Sequence, residues 1–302
     1  MFHQNHFLIE HLNHNLTLLQ SLQERVAIRL TPLRLKLEEW ANKPWYDHPF
    51  GSKPSGTANK YQKLAEQVQM QNYPEIECFE RDSGFQISID WLDELAFQTQ
   101  VVIKSSPLCY AHGRVLYSTL SNYLQQHPPI QSMERITIWE TGTARGFSAL
   151  CMAKALQDQQ RSGLIVTFDI LPHQTTMYWN CVADHEKGAL TRAELLHPWR
   201  ELLENYIIFQ QGNTRLELPK LKAERIHFAF LDGAHTYEDV MFEFSQVERY
   251  QLSGDIIVYD DYTPSHYPGL VKAVDEICEK YHYRRTDLKA NSDRGYVVAV
   301  KE

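Results

Sequence analysis

Cysteine is scarce in this 302-residue chain and follows no pairing pattern. Cys78, Cys109, Cys151, Cys181 and Cys278 are scattered, odd in number and without a CxxC step. That usage excludes a disulfide-built scaffold and fits unlinked thiols in a reducing compartment. A basic excess is missing too: Lys and Arg total 30 against 38 Asp and Glu, for a formal charge of −8. Phosphate binding depends on a cationic face, so no nucleic-acid partner is expected. No run approaches the ~18 apolar residues that cross a bilayer, so no membrane partner is expected either. The start, MFHQNHFLIEHLNHN, lacks the basic residues and apolar run of a signal peptide. A cytoplasmic protein is the expectation. Internal repeats and low-complexity tracts are also absent.

What is present is an ordinary globular composition, 43% hydrophobic and 23% charged, with two textures. Residues 1–103 read as a helical and irregular N-terminal extension, and 104–302 as the main domain. Leu8, Leu12, Leu16 and Leu19 recur at helical spacing, as Leu30, Leu33, Leu35 and Leu37 do in part. Pro44, Pro49, Gly51, Pro54 and Gly56 mark a loop, and GFQISID at Gly84–Asp90 carries a weak strand signal. A helix is expected over Ala111–Gln126.

From Arg135 onward the pattern alternates. β-type runs fall at Ile136–Trp139, Leu164–Phe168, Tyr206–Phe209, Ile226–Leu231 and Asp255–Tyr259. Helical stretches separate them: Phe147–Gln157, Ala193–Glu204, Tyr237–Tyr250 and Leu270–Tyr281. A last strand pair is expected at Tyr283–Leu288 and Tyr296–Val300. Short apolar runs alternating with helices predict an α/β fold: a doubly wound, mostly parallel, Rossmann-like sheet covered on both faces. Ligands bind such sheets at the carboxyl ends of the strands, so the residues just after each strand carry the functional information.

The first strand leads into ETGTARGFS, with Glu140, Gly142, Thr143, Gly146 and Ser148. Glycines here permit a tight turn and close approach of a ligand to a helix N-terminus. The spacing is GxxxG, where a pyrophosphate loop would read GxGxxG, and an acid at the strand end suits a cationic ligand group better than pyrophosphate. Asp169 ends the second strand, where a carboxylate can accept ribose hydroxyls or simply cap a turn. Asn213 follows the third strand, either at an adenine edge or as a helix cap. Asp232 follows the fourth, in LDGAHTYED, and Asp260 and Asp261 the fifth, in IIVYDDYT. Three carboxylates at neighbouring strand ends repel one another unless a cation offsets them, and hard oxygens suit Mg²⁺ or a similar divalent ion. The alternative reading makes one of the pair a helix cap.

As a set, ETGTARG, the Asp169 strand end, LDGAHTYED and IIVYDD resemble the signature of class I methyltransferases, in particular the metal-dependent sugar O-methyltransferases of macrolide and aminocoumarin biosynthesis. The resemblance spans roughly residues 104–302. It implies S-adenosylmethionine as cofactor, held by Glu140, Gly142, Thr143, Gly146, Ser148, Asp169, Asn213 and Asp232. It also implies a divalent metal on Asp232, Asp260 and Asp261. Departures are the His235 position beside the cluster, the long His- and aromatic-rich segment His173–His197, and the first hundred residues. Among the 14 histidines, His235 and His173 are the candidate general bases, with His185 also in the long segment.

The resemblance thus implies methylation of a hydroxyl on a small-molecule acceptor, in a chain that is a possible homo-oligomer. Two other readings stay open: a nicotinamide-dependent oxidoreductase on a related sheet, and a non-catalytic binding protein on the same fold.

Overall fold

A computed structural model describes residues 50–302, except 52, 55, 105, 128–134 and 292–293. The helices expected around Leu8–Leu19 and Leu30–Leu37 lie outside the described residues.

Among the described residues three helices come first: α1 (Ala58–Gln69), α2 (Pro74–Ser83) and α3 (Ile89–Thr99). Then follow α4 (His112–Gln126), β1 (Ile136–Thr141), α5 (Phe147–Asp158) and β2 (Gly163–Asp169). The segment after β2 carries α6 (Ala183–Lys187), α7 (Arg192–Leu195) and α8 (Arg200–Tyr206) before β3 (Ile207–Gln211). The rest is α9 (Thr214–Glu217), β4 (Phe228–Leu231), α10 (Tyr237–Glu248), β5 (Ile256–Tyr259), α11 (Pro268–Lys280), β6 (Tyr283–Asn291) and β7 (Arg294–Lys301).

The sheet runs β3-β2-β1-β4-β5-β7-β6. Strands β1 to β5 are parallel, and β7 enters antiparallel between β5 and β6. The chain therefore winds outward from β1 to β3 and restarts at β4 on the other side of β1. The crevice beyond the ends of β1 and β4 is the switch point of an α/β sheet. Alternation along the strands fills both faces. Ile136, Ile138, Phe228, Phe230, Ile256 and Val258 join the cluster beneath α4 and α5. Trp139, Ala229, Leu231, Ile257 and Tyr259 join the one beneath α10 and α11.

Two sequence expectations are corrected. Gly84–Asp90 is no strand: Gly84 ends α2 in the left-handed conformation, and the Ser88 hydroxyl accepts from Trp91 N to cap α3. The helix expected at Ala193–Glu204 is broken at His197–Trp199, where Pro198 cannot continue it.

Residues 58–99 do not stand apart from the sheet. Trp45–Glu302 form one compact unit, and Tyr61, Ile76 and Leu95 share the core of α4 and α5. A buried pair ties α2 to α4: Arg114 Nε donates to Glu80 at 2.9 Å, and its second nitrogen also meets that carboxylate. Among the described residues no helix is long and apolar enough to cross a membrane.

Candidate active site

The glycine loop after β1 is built by close approach of two strand ends. Gly142 has φ +87°, and a Cβ there would stand 2.2 Å from the Asp232 carbonyl oxygen. Gly142 N donates to Phe168 O at 2.9 Å, and Asp232 N to Thr141 O at 3.1 Å. The loops after β1, β2 and β4 are thus laced together, and glycine is required at 142 by the protein's own packing as well as by its turn. Gly146, at φ +89°, starts α5, and a Cβ there would meet Leu196 at 2.7 Å. Ala144 between them is left-handed at φ 45° without being glycine, a conformation that needs outside support.

Asp169 provides part of that support. Its Oδ2 accepts from Ala144 N, and its Oδ1 from Leu171 N at 2.7 Å. The carboxylate lies at the rim of the loop, at 9% side-chain exposure. Glu140 is different. It is fully buried, and neither carboxylate oxygen has a hydrogen-bond partner. Burial raises its pKa to about 7, the nearby Ser148 and Thr167 hydroxyls oppose the rise, and the charges of Asp232 and Asp169 add to it. The Thr143 hydroxyl is engaged with that of Thr167 at 2.5 Å. Asn213 serves as a cap, its side chain accepting from Arg215 N at 2.9 Å.

The three expected metal aspartates divide. Asp232, His235 and Asp261 offer ligand atoms that all lie within 4.8 Å of one another. Asp260 does not join them. It is fully buried, its Oδ1 accepts from Asp261 N at 2.6 Å, and its Oδ2 is paired with Arg294. The physical reason is the turn itself. Asp261 is left-handed at φ 54°, and Arg294 opens the neighbouring strand β7, so adjacent carboxylates face different partners. Arg294 also approaches Asp261 at 3.6 Å. The clustered negative charge is thus offset in part by the chain's own guanidinium.

The candidate bases are separated. His235 Nε2 lies 3.1 Å from Asp261 and 3.6 Å from Asp232, and its ring stacks on Tyr267 at 4.2 Å. Burial alone would lower its pKa, but the two carboxylates outweigh that and raise it to about 10. His173 stacks on Phe209 of β3 at 4.2 Å, on the far side of β1 from this cluster. Burial, then the charge of Arg192, lowers its pKa. His185 contacts the Gly56 carbonyl and packs edge-on to Tyr61.

Residues 139–262 match a family whose description is "Methyltransferase domain". That segment of the chain is therefore similar to a methyltransferase domain. Among solved structures it is similar to the O-methyltransferase NovP, at 18% identity and TM-score 0.47, over 64% of this chain and 81% of that one. It is similar to the O-methyltransferase TomG from Streptomyces achromogenes, solved with SAM, at 18% identity and TM-score 0.47, over 72% of this chain and 92% of that one. An O-methyltransferase from Bacillus cereus, solved with SAH, aligns at 14% identity and TM-score 0.48, over 81% of this chain and the whole of that one. No curated protein sequence matches the chain. The family match, rather than these likenesses, carries that similarity.

The residues of this site fit a cationic cofactor. The charges of Asp169 and Asp232 raise the pKa of Glu140, and that of Asp232 adds to the rise at Asp169, a repulsion that a ligand bearing ammonium or sulfonium would relieve. They fit a divalent ion at Asp232, His235 and Asp261; Asp260 lies outside that group, paired with Arg294.

Sequence reasoning missed two residues of the domain's site. His112 is buried at the start of α4, packs edge-on to Phe147 at 4.8 Å, and its Nδ1 has no partner. Burial lowers its pKa well below the ordinary value, with Arg294 adding to that and Asp261 opposing it. Arg192, from the long segment after β2, donates from Nε to Ala144 O at 3.0 Å. Neither position lies in a glycine or acidic motif, so only the fold could reveal them.

Proposed function

We propose that this enzyme methylates a hydroxyl of a small-molecule acceptor, taking the methyl group from S-adenosylmethionine bound over the ends of β1 and β2. The observation that carries the reading is Glu140: a fully buried, unpartnered carboxylate beneath the GxxxG loop, with a second acidic group one strand away at Asp232, His235 and Asp261. The first favours a cationic cofactor; the second supplies donors for an acceptor oxygen.

Gly142, Thr143 and Gly146 shape the loop, Asp169 takes the ribose side, and Asn213 and Ser148 lie at the edge of the same site. Asp232 and Asp261 orient the acceptor hydroxyl and offer a carboxylate to its proton, and Tyr267 braces His235 between them. A divalent ion held by Asp232, His235 and Asp261 would polarise that hydroxyl and ease its deprotonation. Alignment of oxygen, methyl carbon and sulfur supplies much of the rate. Residues 104–302 are the methyltransferase domain proper in this reading. Residues 58–99 pack on its core. Nucleic acid and membrane are not partners, and a homo-oligomer is compatible with the reading.

The test is methyl transfer from labelled S-adenosylmethionine to a panel of sugar and catechol-like diols, with EDTA and with added Mg²⁺. Label appearing on an acceptor oxygen supports the proposal. Label transferred only to nitrogen or carbon acceptors rejects O-methylation.

A further inference from the structure

We infer that Arg192 is a second ligand of the cofactor ribose, working opposite Asp169 from the segment between β2 and β3. The inference rests on the reading of this site as an S-adenosylmethionine site.

Arg192 is 1% exposed, a degree of burial that a guanidinium tolerates only with partners. Its partners are incomplete. The Nε donates to the Ala144 carbonyl at 3.0 Å, which braces the left-handed residue of the glycine loop. Its guanidinium lies 5.4 Å from the ring centres of both Trp179 and Phe209, a cation–π arrangement on two sides. One terminal nitrogen has no hydrogen-bond partner, and it stands 3.8 Å from Asp169 Oδ2.

That separation is too long for a direct hydrogen bond. An oxygen about 2.8 Å from each atom would bridge the two at a normal distance to both. A ribose hydroxyl seated there accepts from Arg192 and donates to Asp169. Both Asp169 oxygens accept from backbone already, but a carboxylate oxygen has a second lone pair, so the acceptor is available. The gap also matches the chemistry. A hydroxyl is both donor and acceptor, while a guanidinium only donates and a carboxylate only accepts. The segment that supplies Arg192 is anchored for the task. Thr191 and Glu194 form a capping box on α7, and Arg192 N donates to the His173 carbonyl at 3.2 Å.

The test is calorimetry of S-adenosylhomocysteine and its 2′-deoxy and 3′-deoxy analogues, on the full-length wild type and on Arg192→Met. One analogue should bind the wild type about tenfold more weakly than the parent, the loss of a hydrogen bond to a charged group. Arg192→Met should narrow that gap to about threefold or less, because the hydroxyl has then lost its donor. A gap of equal size in both proteins overturns the inference, as does wild type that binds both analogues as tightly as the parent. Arg192→Lys keeps the charge between the two rings but loses the planar fork; it takes the place of the Met variant if that fails to fold, and the same narrowing is expected. Wild type that binds no S-adenosylhomocysteine rejects the cofactor reading and this inference with it, whereas intact binding with an unchanged gap rejects the inference alone.

Discussion

Arg294, the first residue of β7, closes its guanidinium on Asp260 at the end of β5, while Asp261 lies nearer His235. One ion pair thus decides which of two adjacent carboxylates is free for chemistry. Asp260 is fully buried, so removing its partner strands a charge. Arg294→Met is expected to cost about 3–5 kcal/mol of stability, read as a lowered denaturant midpoint. Asp260→Leu combined with Arg294→Met should recover most of it, because the buried charge is gone. Additive losses in the double variant would contradict the pairing.

The same division predicts the metal behaviour. In titrations with Mn²⁺, Asp232→Asn and Asp261→Asn should each weaken binding about tenfold or more, while Asp260→Asn changes it little. The scale is that of losing a charged ligand. Equal losses for Asp260→Asn and Asp261→Asn would place Asp260 among the ligands.

Glu140 gives a pH signature. Its pKa in the folded protein is about 7, against an ordinary value of 4.5. A carboxyl whose pKa is raised by folding stabilises the fold while protonated, and that contribution is lost as pH rises between those two values. Wild type should therefore lose stability relative to Glu140→Gln from about pH 4.5 to 7, with a constant difference above. The variant should also bind S-adenosylhomocysteine more weakly, since the cofactor's positive charge loses its counterpart. Melting temperature against pH for the two proteins checks the first point, and calorimetry the second. A pH-independent difference would contradict the assignment.

Gly142→Ala is expected to destabilise rather than merely block a ligand. A methyl group at φ +87° would stand 2.2 Å from the Asp232 carbonyl, and one of the β1 and β4 ends must move. Thermal unfolding should fall by several degrees even without ligand. An unchanged melting temperature would mean the two loops are not locked together.

The alternation of apolar runs and helices after Arg135 was enough to read the parallel sheet, because strands buried on both faces leave a strong, local signal. The strand-end positions of the GxxxG loop, Asp169, Asp232 and Asp261 were legible for a related reason: each follows an apolar run that forms a strand. Helices α1 to α3 were not, since their exposed faces are polar and their caps, Ser88 and Gly84, mimic a loop. That Asp260 and Asp261 face different partners was not legible, because adjacency in sequence says nothing about a left-handed turn, or about an arginine arriving on an antiparallel strand. His112 and Arg192 were invisible for the same reason, since tertiary packing alone brings them to the site.

The central claim is tested most directly by titrating S-adenosylhomocysteine and, separately, NADH into the full-length protein by calorimetry. The account predicts saturable one-to-one binding of S-adenosylhomocysteine in roughly the micromolar range, weakened by Glu140→Gln, and no binding of NADH. Heat with NADH and none with S-adenosylhomocysteine, on protein that unfolds cooperatively, would contradict it.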